Sequence, residues 1–319
     1  MSALHEEWEK DMTLDVVILG VFMVDTSHRA SRMPRMGETI RGTSFALGPG
    51  GKGSNQAVAA AKAGARVGFV TRLGEDAFGD MASKLWAEAG IEALATRHGD
   101  HPTGSAFIFI DDATGDNAII ISPGVAATIS PADIDRQESH IAAARVFVTQ
   151  LEQPVEAALR GLEIARANGV ATILNPAPDS DLPDDMLALC DYVTPTETEA
   201  AALSGIEVSD IDSAAAAARH IVSRGVGRAC IVTVGDQGCV WSDGTAEGHV
   251  PAMRAGPVVE TTGAGDAFNG GFAAALARGL SRKDALRFAT ATAAISVTRA
   301  GTAPSMPSRA EIDVLLAGG

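Results

Sequence analysis

A chain of 319 residues that is 46% hydrophobic and 20% charged is long enough for one large α/β domain or two smaller ones, and it is neither disordered nor collagenous. Asp+Glu 40 against Lys+Arg 25 leaves a formal charge of −15, which repels a phosphate backbone and argues against a nucleic-acid partner. Cys190, Cys230 and Cys239 are widely spaced and outside any CxxC pattern, so buried free thiols are expected rather than disulfides or a zinc site.

The chain opens on a polar tail over residues 1–13, whose MSALHEEWEKDM is acidic where a signal peptide needs a positive segment. No apolar run approaches the roughly 18 residues that cross a bilayer. A cytoplasmic enzyme without a membrane partner is expected, with a single domain over 14–319. Residues 14–20 (LDVVILG) form a short β-branched run ended by glycine, the pattern of a strand buried on both faces. Similar runs follow at 65–71, 144–149, 170–174, 192–194 and 229–234. Helical patterns lie between them at 55–63, 77–89, 154–168, 197–204 and 213–224. This alternation predicts an α/β fold with a doubly wound, mainly parallel sheet and flanking helices.

Residues 25–47 and 104–123 break the rhythm. The second stretch, GSAFIFIDDATGDNAIIISP, alternates about a turn at 113–116 and reads as a hairpin. Together the two predict a small β-sheet lid over the main domain.

Two glycine clusters carry the chemistry. The first, GPGGKGSN at 48–55, matches G-x-G-x-x-G through Gly48, Gly50 and Gly53 and so raises a dinucleotide-dependent oxidoreductase. That fingerprint belongs after the first core strand, which here ends at Gly20 without it. Walker A fails as well, since Gly53 stands where Ser or Thr is required. A flexible backbone beside a helix N-terminus remains, offering Lys52 and Asn55 to polar ligand atoms, with a purely structural turn as the alternative. The second cluster, TTGAGDAFNGG at 261–271, runs into a helix. Gly263, Ala264 and Gly265 let backbone N–H groups converge on an anion. Asp266 at the foot of that site is either a helix N-cap or a base that takes a proton from a hydroxyl while the amides hold phosphoryl charge. The two clusters together point to phosphoryl transfer.

On these residues, with TRLGEDAFGD at 71–80, TQLEQP at 149–154, NPAP at 175–178, TPTETEA at 194–200, VTVGDQG at 232–238 and AAISVTRAGTAPSMP at 293–307, the chain resembles the ribokinase family of phosphofructokinase-B type sugar kinases. The resemblance spans about residues 15–316 and is nearer to ribokinases and deoxyribokinases than to fructokinases or adenosine kinases. It implies a nine-stranded or similar core, a β lid that pairs subunits into a homodimer, and transfer of the ATP γ-phosphoryl group to a pentose 5-hydroxyl. Carried onto this chain, Asp25, Gly51, Lys52, Asn55 and Glu152 would hold the sugar. Asp266 would be the base and Gly263 to Gly265 the anion hole. Thr196, Thr233, Gly235, Gly238, Gly265 and Thr290 would line the nucleotide. Glu199 would act through Mg²⁺ and its waters. A monovalent cation, K⁺, would sit among Glu260, Thr262, Ser296, Arg299, Gly301 and Ser305. A kinase for fructose or adenosine is the alternative within the family.

Three positions depart from the family pattern. Thr196 replaces the Asn of an NxxE motif, and Glu260 replaces an Asp of the cation loop. Met23 stands where ribokinases carry an Asn that reaches hydroxyls at the C1/C2 end of the sugar. A thioether has almost no hydrogen-bonding capacity, so Met23 points to a site that accepts 2-deoxy-D-ribose at least as well as D-ribose, with packing under the lid as the alternative. His28, Arg29 and His101 are expected on solvated surface.

Overall fold

A computed structural model describes residues 13–178, 182, 183 and 185–318, so the N-terminal tail lies outside the described residues except for Thr13. Among the described residues no helix is long and apolar enough to cross a membrane.

The main sheet has nine strands. They are β1 (Val16–Leu19), β4 (Val67–Gly74), β5 (Glu92–His98), β8 (Val146–Thr149), β9 (Ala171–Leu174), β10 (Tyr192–Val193), β11 (Ala229–Thr233), β12 (Cys239–Ser242) and β13 (Glu247–Val250). Their order is β13-β12-β11-β10-β9-β8-β1-β4-β5. All pairings from β5 to β11 are parallel, while β12 and β13 return antiparallel at one edge. The fold class is the expected one, with β5, β12 and β13 as strands that the periodicity did not single out.

β1 explains the double winding. All four of its residues are fully buried; Val16 and Ile18 enter one hydrophobic cluster and Val17 and Leu19 the other, so both faces of the sheet are roofed by helices. On the first side Trp86 stands edge-on to Phe22 and Phe69, at 5.8 and 5.0 Å between ring centroids. The chain runs from β1 to β4 and β5 on one flank and then to β8, β9, β10 and β11 on the other. The switch point therefore falls between β1 and β8, where α/β sheets open a crevice at the carboxyl ends of their strands.

A second sheet stands apart, in the order β3-β2-β6-β7: β2 (Met23–Ala30), β3 (Ser44–Gly50), β6 (Thr103–Asp111) and β7 (Asn117–Gly124). β6 and β7 form an antiparallel hairpin, and β2 pairs antiparallel with β3 and parallel with β6.

This sheet corrects the first glycine cluster. Gly48, Pro49 and Gly50 are not a loop but the end of β3, opposite Asp25, Val24 and Met23. A Cβ on Gly50 would strike the Asp25 carboxylate, so the glycine admits that side chain rather than a dinucleotide. The one true turn residue is Gly51, at φ 87°, directly before the helix Lys52–Lys62.

Candidate active site

The Lys52–Lys62 helix begins at the switch point. Gly20 follows β1, and a Cβ there would lie 2.7 Å from the Cα of Gly53 and strike the Gln150 side chain, so only glycines allow this helix to seat on the strand ends. Its first turn carries Lys52, Asn55 and Gln56. Facing it is the helix Ala264–Ala277, entered through Gly263 at φ 82° in the left-handed region. Asp266 occupies the first turn of that helix and is 7% exposed.

The Asp266 carboxylate is held from both sides: Asn55 Nδ2 donates to Oδ2 at 3.0 Å and Gln56 Nε2 to Oδ1 at 3.1 Å. Burial raises its pKa, against the opposing pull of the Lys52 charge and the two amide donors. Glu152, just after β8, accepts from the Lys52 backbone N–H at 2.7 Å. Burial is the main reason its pKa climbs to about 7, with Lys52 opposing and Asp266 and Asp25 adding repulsion. Asp25 on β2 rises to about 6 through burial and the charges of Asp266 and Glu260. Burial alone would pull Lys52 down, yet Asp266, Glu152 and Glu199 outweigh it and hold the ammonium above its ordinary range. Asp25, Lys52, Asn55, Glu152 and Asp266 thus share one electrostatic site. Asn55 Oδ1 is buried without a hydrogen-bond partner among the described residues, a cost of about 1–3 kcal/mol that a donor on a bound ligand would remove.

Thr196 and Glu199 form a capping box on the helix Glu197–Ser204, with the Thr196 amide donating to Glu199 Oε2 at 2.9 Å. Burial raises the Glu199 pKa, while the Thr196 donors and Lys52 lower it. Thr196 bridges to Thr233 at the end of β11, and Gly235 and Gly238 follow with φ of 53° and 98°. Thr290 is set differently. It is 5% exposed in the helix Arg282–Ser296 and its hydroxyl donates to the Leu286 carbonyl at 2.9 Å.

Beside the Gly263 turn, the loop at 258–263 meets the one at 297–305. Glu260 Oε2 accepts from the Gly301 amide at 2.8 Å, and the Glu260 amide donates to the Val297 carbonyl at 3.2 Å. Thr302 ties this pair to the small sheet by donating to the Pro49 carbonyl at 2.8 Å. The Arg299 guanidinium pairs with Glu311. Ser296 and Ser305 donate to the Ala293 and Thr302 carbonyls at 2.8 and 2.7 Å.

Met23 is 3% exposed, two residues before Asp25 and therefore on the same face of β2. His28, Arg29 and His101 are exposed, and His28 packs against Phe45 and Phe107. Five buried amides escaped the sequence reading: Gln56, Gln150, Gln153, Asn175 and Asn269. Their signal was an amide inside an apolar run, as in NQAVAAA and GDAFNGG.

The fold and site have clear relatives. The model of the pfkB family carbohydrate kinases matches residues 13–309. A ribokinase of Haemophilus influenzae is 36% identical over 301 residues, covering 94% of this chain and 97% of its own. A deoxyribokinase of Salmonella typhi is 37% identical over 297 residues, covering 92% and 96%. The solved structure of an Arabidopsis thaliana ribokinase, complexed with ribose and ATP, superposes with a TM-score of 0.88 at 30% identity, covering 96% of this chain and 99% of that one. With the match extending through strands, site loops and flanking helices alike, the chain belongs to the pfkB family and is a carbohydrate kinase.

Proposed function

We propose that the chain transfers the γ-phosphoryl group of ATP to the 5-hydroxyl of a pentose, D-ribose or 2-deoxy-D-ribose, with Asp266 as general base. One observation carries the assignment: a buried carboxylate in the first turn of a helix, oriented by two amides and faced by Lys52. Asp266 takes the hydroxyl proton as the sugar oxygen bonds to the γ-phosphorus and the bond to the ADP oxygen breaks. The ribokinase and deoxyribokinase relatives support a pentose, and the ribose and ATP of the Arabidopsis ribokinase support the pair of substrates.

Asp25, Gly51, Lys52, Asn55 and Glu152 hold the sugar hydroxyls, with Met23 beside the C2 position. The anion hole is formed by Gly263, Ala264 and Gly265; because the Ala264 amide donates to the Thr261 carbonyl at 3.1 Å, the amides after it carry the developing charge. Thr196, Thr233, Gly235 and Gly238 line the nucleotide. Thr290, with its hydroxyl committed to the helix, contributes packing near the base.

Among the described residues no three His, Cys, Asp or Glu side chains are grouped to hold a metal ion, which fits a Mg²⁺ carried by the nucleotide. Glu199 would reach it through water and orient it, the ion supplying charge neutralisation on the phosphates. The oxygens of Glu260, Thr262, Ser296, Gly301 and Ser305, with the Arg299 carbonyl, are hard donors that suit K⁺, and Glu260 already joins the two loops that would enclose it. The exposed apolar residues of the small sheet support a homodimer through that sheet.

Turnover with ATP on ribose, 2-deoxyribose, fructose and adenosine tests the substrate. Pentose turnover is expected, and its absence alongside activity on another acceptor overturns the pentose. Asp266→Asn should lower kcat by about 10² or more, the usual contribution of a positioned base, while calorimetry still detects sugar binding. A variant within tenfold of wild-type kcat overturns the base.

A further inference from the structure

A chain of buried amides runs from the strand ends to Asp266, and its polarity has a single solution. The Thr194 carbonyl can only accept, so the Asn175 group 3.1 Å from it is Nδ2, which turns Asn175 Oδ1 toward Gln56. Gln56 must then present Nε2, which donates to Asn175 Oδ1 at 3.0 Å and to Asp266 Oδ1 at 3.1 Å. Its Oε1 accepts from Gln150 Nε2 at 2.6 Å. Gln56 thereby uses both hydrogens and its oxygen, at no solvent exposure. Thr194 serves a second branch: its hydroxyl donates to Asn269 Oδ1 at 2.6 Å, and Asn269 Nδ2 donates to the Gly265 carbonyl at 2.9 Å. One residue at the end of β10 thus orients both the carboxylate and the turn that precedes it.

We propose that Gln56 is a positioning residue for Asp266: locked among Gln150, Asn175 and the carboxylate, it fixes Oδ1 and so, with Asn55 on Oδ2, sets the plane in which the carboxylate takes the proton. The inference rests on Asp266 acting as base. An ordinary core role for Gln56 would need only its volume; the proposed one needs its N–H. Burial of a fully satisfied polar group directly behind a carboxylate preorganises that group and removes the cost of turning it during the reaction. The charged groups facing Asp266 are Lys52 from the same helix as Gln56, Asp25 from β2, Glu152 after β8 and Glu199 from the Glu197–Ser204 helix. None of them is removed by a change at Gln56.

Gln56→Leu keeps the bulk and deletes the donor. It should lower kcat about 10- to 100-fold, the range seen when a partner that orients a functional group is lost, with KM for sugar and ATP within about threefold. Losing an N–H donor to the carboxylate disfavours its charged form, so the acid limb of the kcat–pH profile should move to higher pH. Asn175→Ala leaves Gln56 in place but unpins it, and should shift the same limb less; it carries the test if Gln56→Leu fails to fold by circular dichroism. An unmoved acid limb in a folded variant overturns the proposal, whether kcat holds or falls, because a fall without the shift means lost packing. Asp266→Asn run in parallel separates the failures: an active Asp266→Asn overturns the base itself, whereas an inactive one beside an unshifted Gln56→Leu overturns only the positioning.

Discussion

At the scale of single residues, the site is a set of carboxylates whose ordinary behaviour has been altered by where they sit. Asp25, Glu152 and Asp266 are all pushed toward their neutral forms by burial, neighbouring carboxylates add to this at Asp25 and Glu152, and Lys52 opposes it at Glu152 and Asp266. On the proposed function, Met23 sets the chemistry of the wall beside the sugar. It lies under β6, against Gly104, and offers carbon and sulfur where a polar contact would favour a hydroxyl. An apolar pocket rejects an added hydroxyl by only about 10², so both pentoses should turn over, with 2-deoxyribose at least equal in kcat/KM. Met23→Asn should move that ratio toward ribose by about tenfold, one hydrogen bond's worth of discrimination; an unchanged ratio would show that Met23 only packs.

At the scale of elements, the glycines act where backbone meets backbone. Gly51 has φ 87°, and a Cβ there would lie 2.6 Å from the Val21 carbonyl and 2.9 Å from the Met23 amide. Gly51→Ala should therefore cost on the order of 2–4 kcal/mol in urea denaturation, combining a left-handed conformation with a clash that no side chain can relieve. A loss below about 0.5 kcal/mol would mean that the turn relaxes freely. Elements with strong local signals were legible in the sequence. The helix Ala77–Ala89 matches the span read from it, since Asp76 caps one end and Gly90 at φ 70° closes the other. Glu197–Ser204 matches too, between its Thr196 cap and Gly205. β5 was not legible because an edge strand such as EALATRH, half in solvent, shows no continuous apolar run. β12 (CVWS) and β13 (EGHV), at the antiparallel edge, lack the β-branched apolar run that revealed the equally short β1 and β8. The amide chain was hidden because nothing in the sequence pairs Gln56, Gln150, Asn175 and Asn269 with their partners, and only the fold brings them within hydrogen-bonding distance. Gly48 to Gly50 failed differently, since a glycine-rich string looks like a loop until the partner strand that requires it is known.

At the scale of the whole molecule, the small sheet is the part that the core does not protect. Phe45 is 60% and Ile120 61% exposed, and the pairing register puts them on one face with Phe107 while Ile119 and Ile121 lie on the other. A second copy laid across this sheet would remove that patch from water, so Ile120→Glu should convert a dimer into a monomer in sedimentation velocity; a wild-type monomer at micromolar concentration would sink the assembly. The net charge of −15 belongs to this scale as well, and its sharpest expression is local. Glu152, Glu199 and Asp266 surround Lys52, and Asp25 adds a further acid beside Asp266. A neutral sugar enters such a place easily, because its hydroxyls donate to acids and add no charge of their own. The same molecule leaves bearing a phosphate of about −1.5 to −2, set against those same acids. On the proposed function, phosphorylation would thus turn a neutral ligand into an anion, and the acids that accept the substrate's hydroxyls would favour the product's departure.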